Sequence, residues 1–411
     1  MAQNTIRIAS HLSDVATIDH SAEVSPHEVG LSESTVSDIW QKIKDAYKTA
    51  VYPGITFSLR RHNKIVMQRA IGHATGNGPD DNERTIKKLT TANTPVCLFS
   101  TSKAITATIM HILHEKGSLD INGRVSDYIP EFAQNGKKDI TISDVLSHRA
   151  GFSGFTRAGM TDRIFEFDYV VQTLCEQKAE IHTKGNIAYH AVTGGFILGE
   201  IVKRATGSDI RVALDNLIRK PLGFEYFNYG APGVPREIIA ENYATGMHDL
   251  FLFSKLVEYS LGSSIQTIVN LAKDQRFFDG IIPSVNMVAT APEVSLFFQT
   301  LLNGGRLGDV RICKEETVQM MTRETGYTWF DRRLMMPMRY SNGLMLGNEP
   351  QGLYGPKTKQ AFGHIGFLNI LCWADPERDI AVSFLNTGKS LGGPHLIAFA
   401  NVIRAISDGC L

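Results

Sequence analysis

The sequence predicts an α+β protein, with an antiparallel sheet built from both chain ends, flanked by terminal helices, and a mostly helical region inserted between them. Three observations predict it. Apolar runs of strand length lie at residues 54–72 and 367–387, helical periodicity dominates the middle, and an amphipathic helix accompanies each strand cluster. On this reading residues 36–90 and 300–411 form the α/β part. Residues 91–299 form the helical region, and residues 1–35 an N-terminal extension.

Each element has a local cause. Over residues 32–49, Val36, Ile39, Trp40, Ile43 and Tyr47 recur on one helical face. "GITFSLRR" alternates Ile55, Phe57 and Leu59, and "KIVMQRAIG" follows after His62 and Asn63, which reads as a hairpin. Ser100 to Lys116 reads as a helix with Ile105, Ile109, Ile112 and Leu113 on its apolar face, closed by Gly117. "AVTGGFILGEIVKRATG" is a helix ending at Gly207. "TAPEVSLFFQTLLNGG" opens on a capping box, Thr290 with Glu293, and stops at Gly304. "FLNILCWAD" and "DIAVSFLNT" are strands around the turn "DPERD", and "PHLIAFANVIRAIS" is the final helix.

The 411 residues have ordinary globular composition, and 42 Lys plus Arg balance 42 Asp plus Glu, so no charged field points to nucleic acid or to a cationic partner. The five cysteines are scattered without a C-x-x-C and read as reduced thiols. The N-terminus lacks the basic and apolar regions of a signal peptide, and the longest apolar run is too short to span a bilayer. The expectation is a cytoplasmic protein with no membrane or nucleic-acid partner. No repeat or low-complexity linker divides the chain.

"LFSTSKAITA" carries Ser100 and, three positions later, Lys103 on the same helical face. Free N–H groups and the partial positive charge of a helix start favour negative charge developing at Ser100. Serine needs a proton acceptor, and lysine serves only when desolvated or beside another cation. The same pair also fits a capping serine with a surface lysine, and the pattern alone does not separate the two. Other motifs are incomplete. "NTGKS" at 386–390 lacks the first glycine of a P-loop, which is replaced by Ser383. "HILHE", with His111 and His114, is not H-E-x-x-H, and no metal is expected. "GFSGF" is not a nucleophile elbow. Cys97 lacks a histidine partner pattern. "FEYFNYG" and "MHDLFLFSKLVEYS" fit either core or the wall of an acyl or alcohol pocket.

Ser100-Thr101-Ser102-Lys103, then "ITISDVLSHRAGF", then Tyr189 ahead of "GGFILGEIVKRATG", then "FGHIGFLNILCWADPERDIAVSFLN" stand in the order seen in class C β-lactamase-like serine hydrolases. The chain resembles this group over residues 36–405, most closely its family VIII carboxylesterases. The resemblance implies a β-lactamase-like fold, Ser100 as the acylated nucleophile, and Lys103 and Tyr189 as its proton relay, either of which could be the base. His364-Ile365-Gly366 corresponds to K-T-G, with His364 and Gly366 facing substrate. The N–H groups of Ser100 and Phe367 would form the oxyanion hole. Two departures stand out. Ala191 occupies the asparagine position of Y-x-N, and His364, a pH-dependent cation, replaces a lysine. They imply a serine carboxylesterase for small or medium acyl esters that needs no cofactor. An acyltransferase, a β-lactamase or DD-peptidase, and a non-catalytic scaffold are the alternatives.

Overall fold

The turn at His62 and Asn63 closes a hairpin because both residues adopt positive φ, 49° and 65°, the two-residue geometry that matches strand twist. The computed structural model describes residues 4–155, 160–180, 185–247, 255, 258–326 and 330–411. The strands of its main sheet are β1 (Ala16–Ile18), β2 (Gly54–Arg61), β3 (Lys64–Thr75), β4 (Lys88–Leu89), β5 (Arg339–Tyr340), β6 (Met345–Leu346), β7 (Phe362–Ile365), β8 (Leu371–Asp375) and β9 (Ile380–Asn386). Their order is β1-β3-β2-β9-β8-β7-β6-β5, with β4 also paired to β3. All these pairings are antiparallel. The two chain ends meet where β2 pairs β9, with Phe57 opposite Phe384.

The principal helices are α1 (Glu33–Lys48), α2 (Ser102–Glu115), α3 (Thr193–Thr206), α4 (Ala291–Leu302) and α5 (His395–Gly409). Helices α1 and α5 cover one sheet face. Ile39, Ile43, Phe399 and Ile406 pack there against Phe57, Leu371, Trp373, Val382 and Phe384. The alternate residues Cys372, Ala374, Ala381 and Leu385 belong to the other core, shared with α4 and the helical region. Burial on both faces explains why β8 and β9 read as continuous apolar runs rather than strict alternation. Ser58 Oγ lies 2.9 Å from Ser295 Oγ, and Ser383 Oγ donates to Ala291 O at 2.7 Å, so small polar residues seat α4 on the sheet.

The antiparallel sheet, its terminal helices and the helical insertion agree with the fold class read from the sequence. Some details differ. The first 35 residues supply an edge strand, β1, too short to carry a periodic signal. Most of α4 falls before residue 300 yet packs on the sheet. The helix expected from Ser100 opens with a 3₁₀ turn, Phe99–Thr101, before α2 begins.

Candidate active site

Ser100 sits on that 3₁₀ turn, directly after Phe99, whose φ of 46° is rare for a residue with a side chain. Ser102, fully buried, holds the turn. Its Oγ donates to Phe99 O at 2.5 Å and accepts from Met287 N at 3.0 Å. Ser102 is thus a brace, and Ser100 is the hydroxyl of this pair that lines a cavity.

Lys103 is buried, and its Nζ lies 3.2 Å from Ser100 Oγ. It donates to Ala191 O at 2.7 Å and to Ser284 O at 3.1 Å. No carboxylate among the described residues pairs with it, and burial holds its pKa well below the ordinary lysine value. The Ser284 carbonyl is positioned by its neighbours. Thr106 Oγ1 donates to Pro283 O at 2.7 Å, and Gly195 at the start of α3 leaves room, since a Cβ there would meet Ser284 N at 2.6 Å.

Tyr189 lies in the extended segment before α3, buried, with its ring 4.9 Å from Lys103 Nζ. Its hydroxyl makes no hydrogen bond of ordinary geometry. Burial raises its pKa above the ordinary phenol value, and Ser100 offsets part of that rise. The Tyr189 backbone is pinned by Asp331, a fully buried carboxylate that accepts from Tyr189 N at 3.2 Å, Arg333 N at 2.8 Å and Leu334 N at 2.9 Å, and from the Tyr340 hydroxyl at 2.8 Å. Asp331, Ser284 and Gly195 were not singled out from the sequence. Only the paired glycines after Tyr189 carried a signal, because two carbonyls and a remote carboxylate leave no spacing to read.

Strand β7 runs beside the turn that carries Ser100, where Thr101 Oγ1 donates to His364 O at 3.4 Å. Gly366 allows the approach, since a Cβ there would stand 2.6 Å from Leu98 O. Phe367 N–H has no acceptor within the described residues, and the Phe367 ring packs 5.2 Å from Phe99. The cavity, about 250 Å³, is walled by Phe99, Ile268, Phe277, Val285 and Phe367, with Ser100 in its lining. Neither His364 nor Gly366 lines it. His364, expected as a pH-dependent cation facing substrate, is buried, and Nδ1 bonds its neighbour's carbonyl, Ile365 O, at 2.7 Å. Burial pushes its pKa down to about 3, so it is neutral across the working pH range.

The remaining motifs are structural. Cys97 is buried with its thiol pushed up to about 12. His111 Nε2 bonds Asn342 O at 2.9 Å, and no metal-binding group occurs among the described residues. "FEYFNYG" is core, with Phe224, Phe227 and Tyr229 buried. Of "MHDLFLFSKLVEYS", residues 248–254 and 256–257 lie outside the described residues, and its end, Ser260 with Leu261, lines the cavity. No described helix is long and apolar enough to cross a membrane.

A sequence model of the family described as Beta-lactamase matches residues 39–405. The chain is 28% identical over 313 residues to the Esterase/beta-lactamase LipL of Mycobacterium tuberculosis, covering 72% of this chain and 70% of that one. Among solved structures it resembles a penicillin-binding protein homolog from Caulobacter crescentus, with TM-score 0.78, 25% identity, and coverage of 92% and 99%. It also resembles a family VIII carboxylesterase, with TM-score 0.75, 27% identity, and coverage of 93% and 99%.

Around Lys103 and Tyr189 the site is rich in buried, neutral histidine. His148 packs 4.7 Å from the Tyr189 ring and 5.3 Å from His190, and its Nδ1 accepts from His190 N at 3.1 Å. Burial is the first cause of depressed pKa values at four sites: about 4 for His111, about 3 for His190 and His364, and well below 6.5 for His148. Unfolded, all four titrate near pH 6.5, so below that pH the unfolded chain binds protons that the folded chain refuses. Stability from these groups is therefore complete above pH 6.5 and lost as pH falls toward about 3. Urea titrations across this window should show a decline approaching about 5 kcal/mol per pH unit on its steepest part. A flat response from pH 6.5 to 5 would contradict the buried neutral assignment.

Proposed function

We propose, from the premise that the chain belongs to the beta-lactamase family, that it is a serine carboxylesterase acting on small or medium acyl esters through a Ser100 acyl-enzyme. The observation that carries the reading is Lys103. It is buried without a carboxylate, donates to two carbonyls, and sits 3.2 Å from a serine that opens onto an apolar cavity. A neutral amine has two N–H groups and one lone pair. The Ala191 and Ser284 carbonyls use both N–H groups, leaving the lone pair for the Ser100 hydroxyl proton.

Burial lowers the lysine pKa and raises that of Tyr189, so a neutral amine beside a neutral phenol is the favoured resting pair. Lys103 then takes the proton as Ser100 Oγ attacks the ester carbonyl. The Ser100 and Phe367 N–H groups receive the oxyanion, each such donor contributing about 2.7–4 kcal/mol at the transition state. The Lys103 proton, passed through the Tyr189 hydroxyl, leaves with the alcohol. Water then enters, loses a proton along the same route, and frees the acid.

The likeness to a penicillin-binding protein homolog raises a peptidase or lactamase reading. Two features argue against it. Ala191 has no side-chain amide to hold a substrate amide, and its carbonyl is engaged by Lys103. His364 offers no charge to a carboxylate. A buried polar partner left unmet costs about 1–3 kcal/mol, so the two losses together correspond to roughly two to four orders of magnitude in kcat/KM.

Three outcomes follow from this reading. Ser100→Ala should abolish 4-nitrophenyl butyrate turnover and fluorophosphonate labelling while the circular dichroism spectrum is kept; persistent labelling would remove Ser100 from its role. Lys103→Ala and Tyr189→Phe should each lower kcat by several orders of magnitude and the double variant by little more, as for residues acting as one unit; multiplicative losses would separate them. Penicillins and nitrocefin should be turned over at least a hundredfold less efficiently than the butyrate ester. Lowering the pH to 5.5 should not narrow that gap, because His364 stays neutral there; a gap that closes at pH 5.5 would show a cation forming at β7.

A further inference from the structure

The cavity next to Ser100 has apolar walls and hydroxyls, and one charged side chain among its lining residues, Arg333. Its guanidinium has no carboxylate partner among the described residues, and its Nε is buried without a hydrogen bond. A guanidinium keeps its charge at every working pH, and holding one partly out of water without an anion is unfavourable.

Arg333 is also held in place. Its N–H donates to Asp331 Oδ1 at 2.8 Å, its carbonyl accepts from Ser260 Oγ at 2.7 Å, and its guanidinium stacks 4.6 Å from the Tyr259 ring centroid. Gly154 makes room for it, since a Cβ at that position would stand 2.6 Å from Arg333 Nη2. Glu180 accepts from Ser153 Oγ, another lining hydroxyl, at 2.9 Å. The result is a fixed cation at an apolar cavity, with no hydrogen bond from its guanidinium to any described residue. Guanidinium and carboxylate match in a two-point, planar geometry.

We propose that Arg333 is a specificity determinant, and that the cavity takes esters bearing a carboxylate at the end of a short apolar chain, such as monoesters of aliphatic dicarboxylic acids. This deepens the esterase reading and rests on it. The apolar walls would hold the chain, Ser100 would attack the ester end, and Arg333 would pair with the distal carboxylate.

The test compares 4-nitrophenyl monoesters of succinate, glutarate and adipate with the neutral butyrate, valerate and hexanoate esters. Butyrate esters of 4-hydroxybutyrate and of butanol place the charge on the alcohol side. At least one charged ester should exceed its neutral match in kcat/KM by roughly tenfold to a hundredfold, the range for a hydrogen bond to a charged group. The advantage should lie in KM, collapse toward unity in Arg333→Gln, and return in part in Arg333→Lys. Calorimetric binding of monomethyl glutarate and methyl butyrate to Ser100→Ala reads the same preference without turnover. Ser100-dependent hydrolysis with no charged preference in any pair would overturn the role of Arg333 and leave the esterase reading intact. No hydrolysis and no labelling of Ser100 would overturn the esterase reading, and the binding ratio would still decide for or against Arg333. A preference unchanged in Arg333→Gln would also refute the assignment.

Discussion

The arrangement depends on one constraint: an amine buried without an acid must be satisfied by backbone carbonyls. Lys103 meets two, from segments far apart in sequence, Ala191 before α3 and Ser284 before the strand Met287–Ala289. Each carbonyl must therefore be fixed by something else. Val96–Cys97 and Asn228–Tyr229 pair with Met287–Ala289 on either side, and Ser102 Oγ takes the Met287 N–H, so the turn that carries Ser100 and the loop that carries Ser284 share one brace. Asp331 does the same for the Tyr189 segment from the opposite side. A carboxylate in contact with Lys103 would have satisfied the amine more simply. It would also have kept the amine protonated, and a protonated amine has no lone pair for serine.

Much of this was legible in the sequence, for physical reasons. Strand and helix positions follow from apolar period and turn chemistry. The His62–Asn63 turn, the Thr290–Glu293 capping box and the Gly207 helix end all act within a few residues. Ser100, Lys103 and Tyr189 were singled out because their order along the chain matches a known group. What stayed hidden acts across the fold. Ser284 and Ala191 contribute main-chain oxygen, which no residue type announces, and Asp331 reaches Tyr189 from 142 positions away. His364 was read as a pH-dependent cation, whereas it is buried and neutral, because its burial depends on β7 lying deep in the sheet, between β6 and β8.

Burial alone does not make a lysine a base, and a second lysine in this chain makes the comparison. Lys389, in the "NTGKS" stretch, is fully buried and has no acid partner among the described residues. Desolvation lowers its pKa to about 7. Its Nζ donates to Asn386 O at 2.8 Å and sits 5.0 Å from the Phe99 ring centroid. It does not line the cavity. Its contacts are those of a strut beneath the positive-φ Phe99, whose backbone leads into Ser100. Lys103 differs in having the third partner, Ser100 Oγ, at the cavity edge. On the proposed mechanism the chemistry lies in the direction of one lone pair rather than in desolvation as such. The same desolvation also disfavours charge on Tyr189 and the surrounding histidines, so in the proposed relay no permanent local charge competes for the proton.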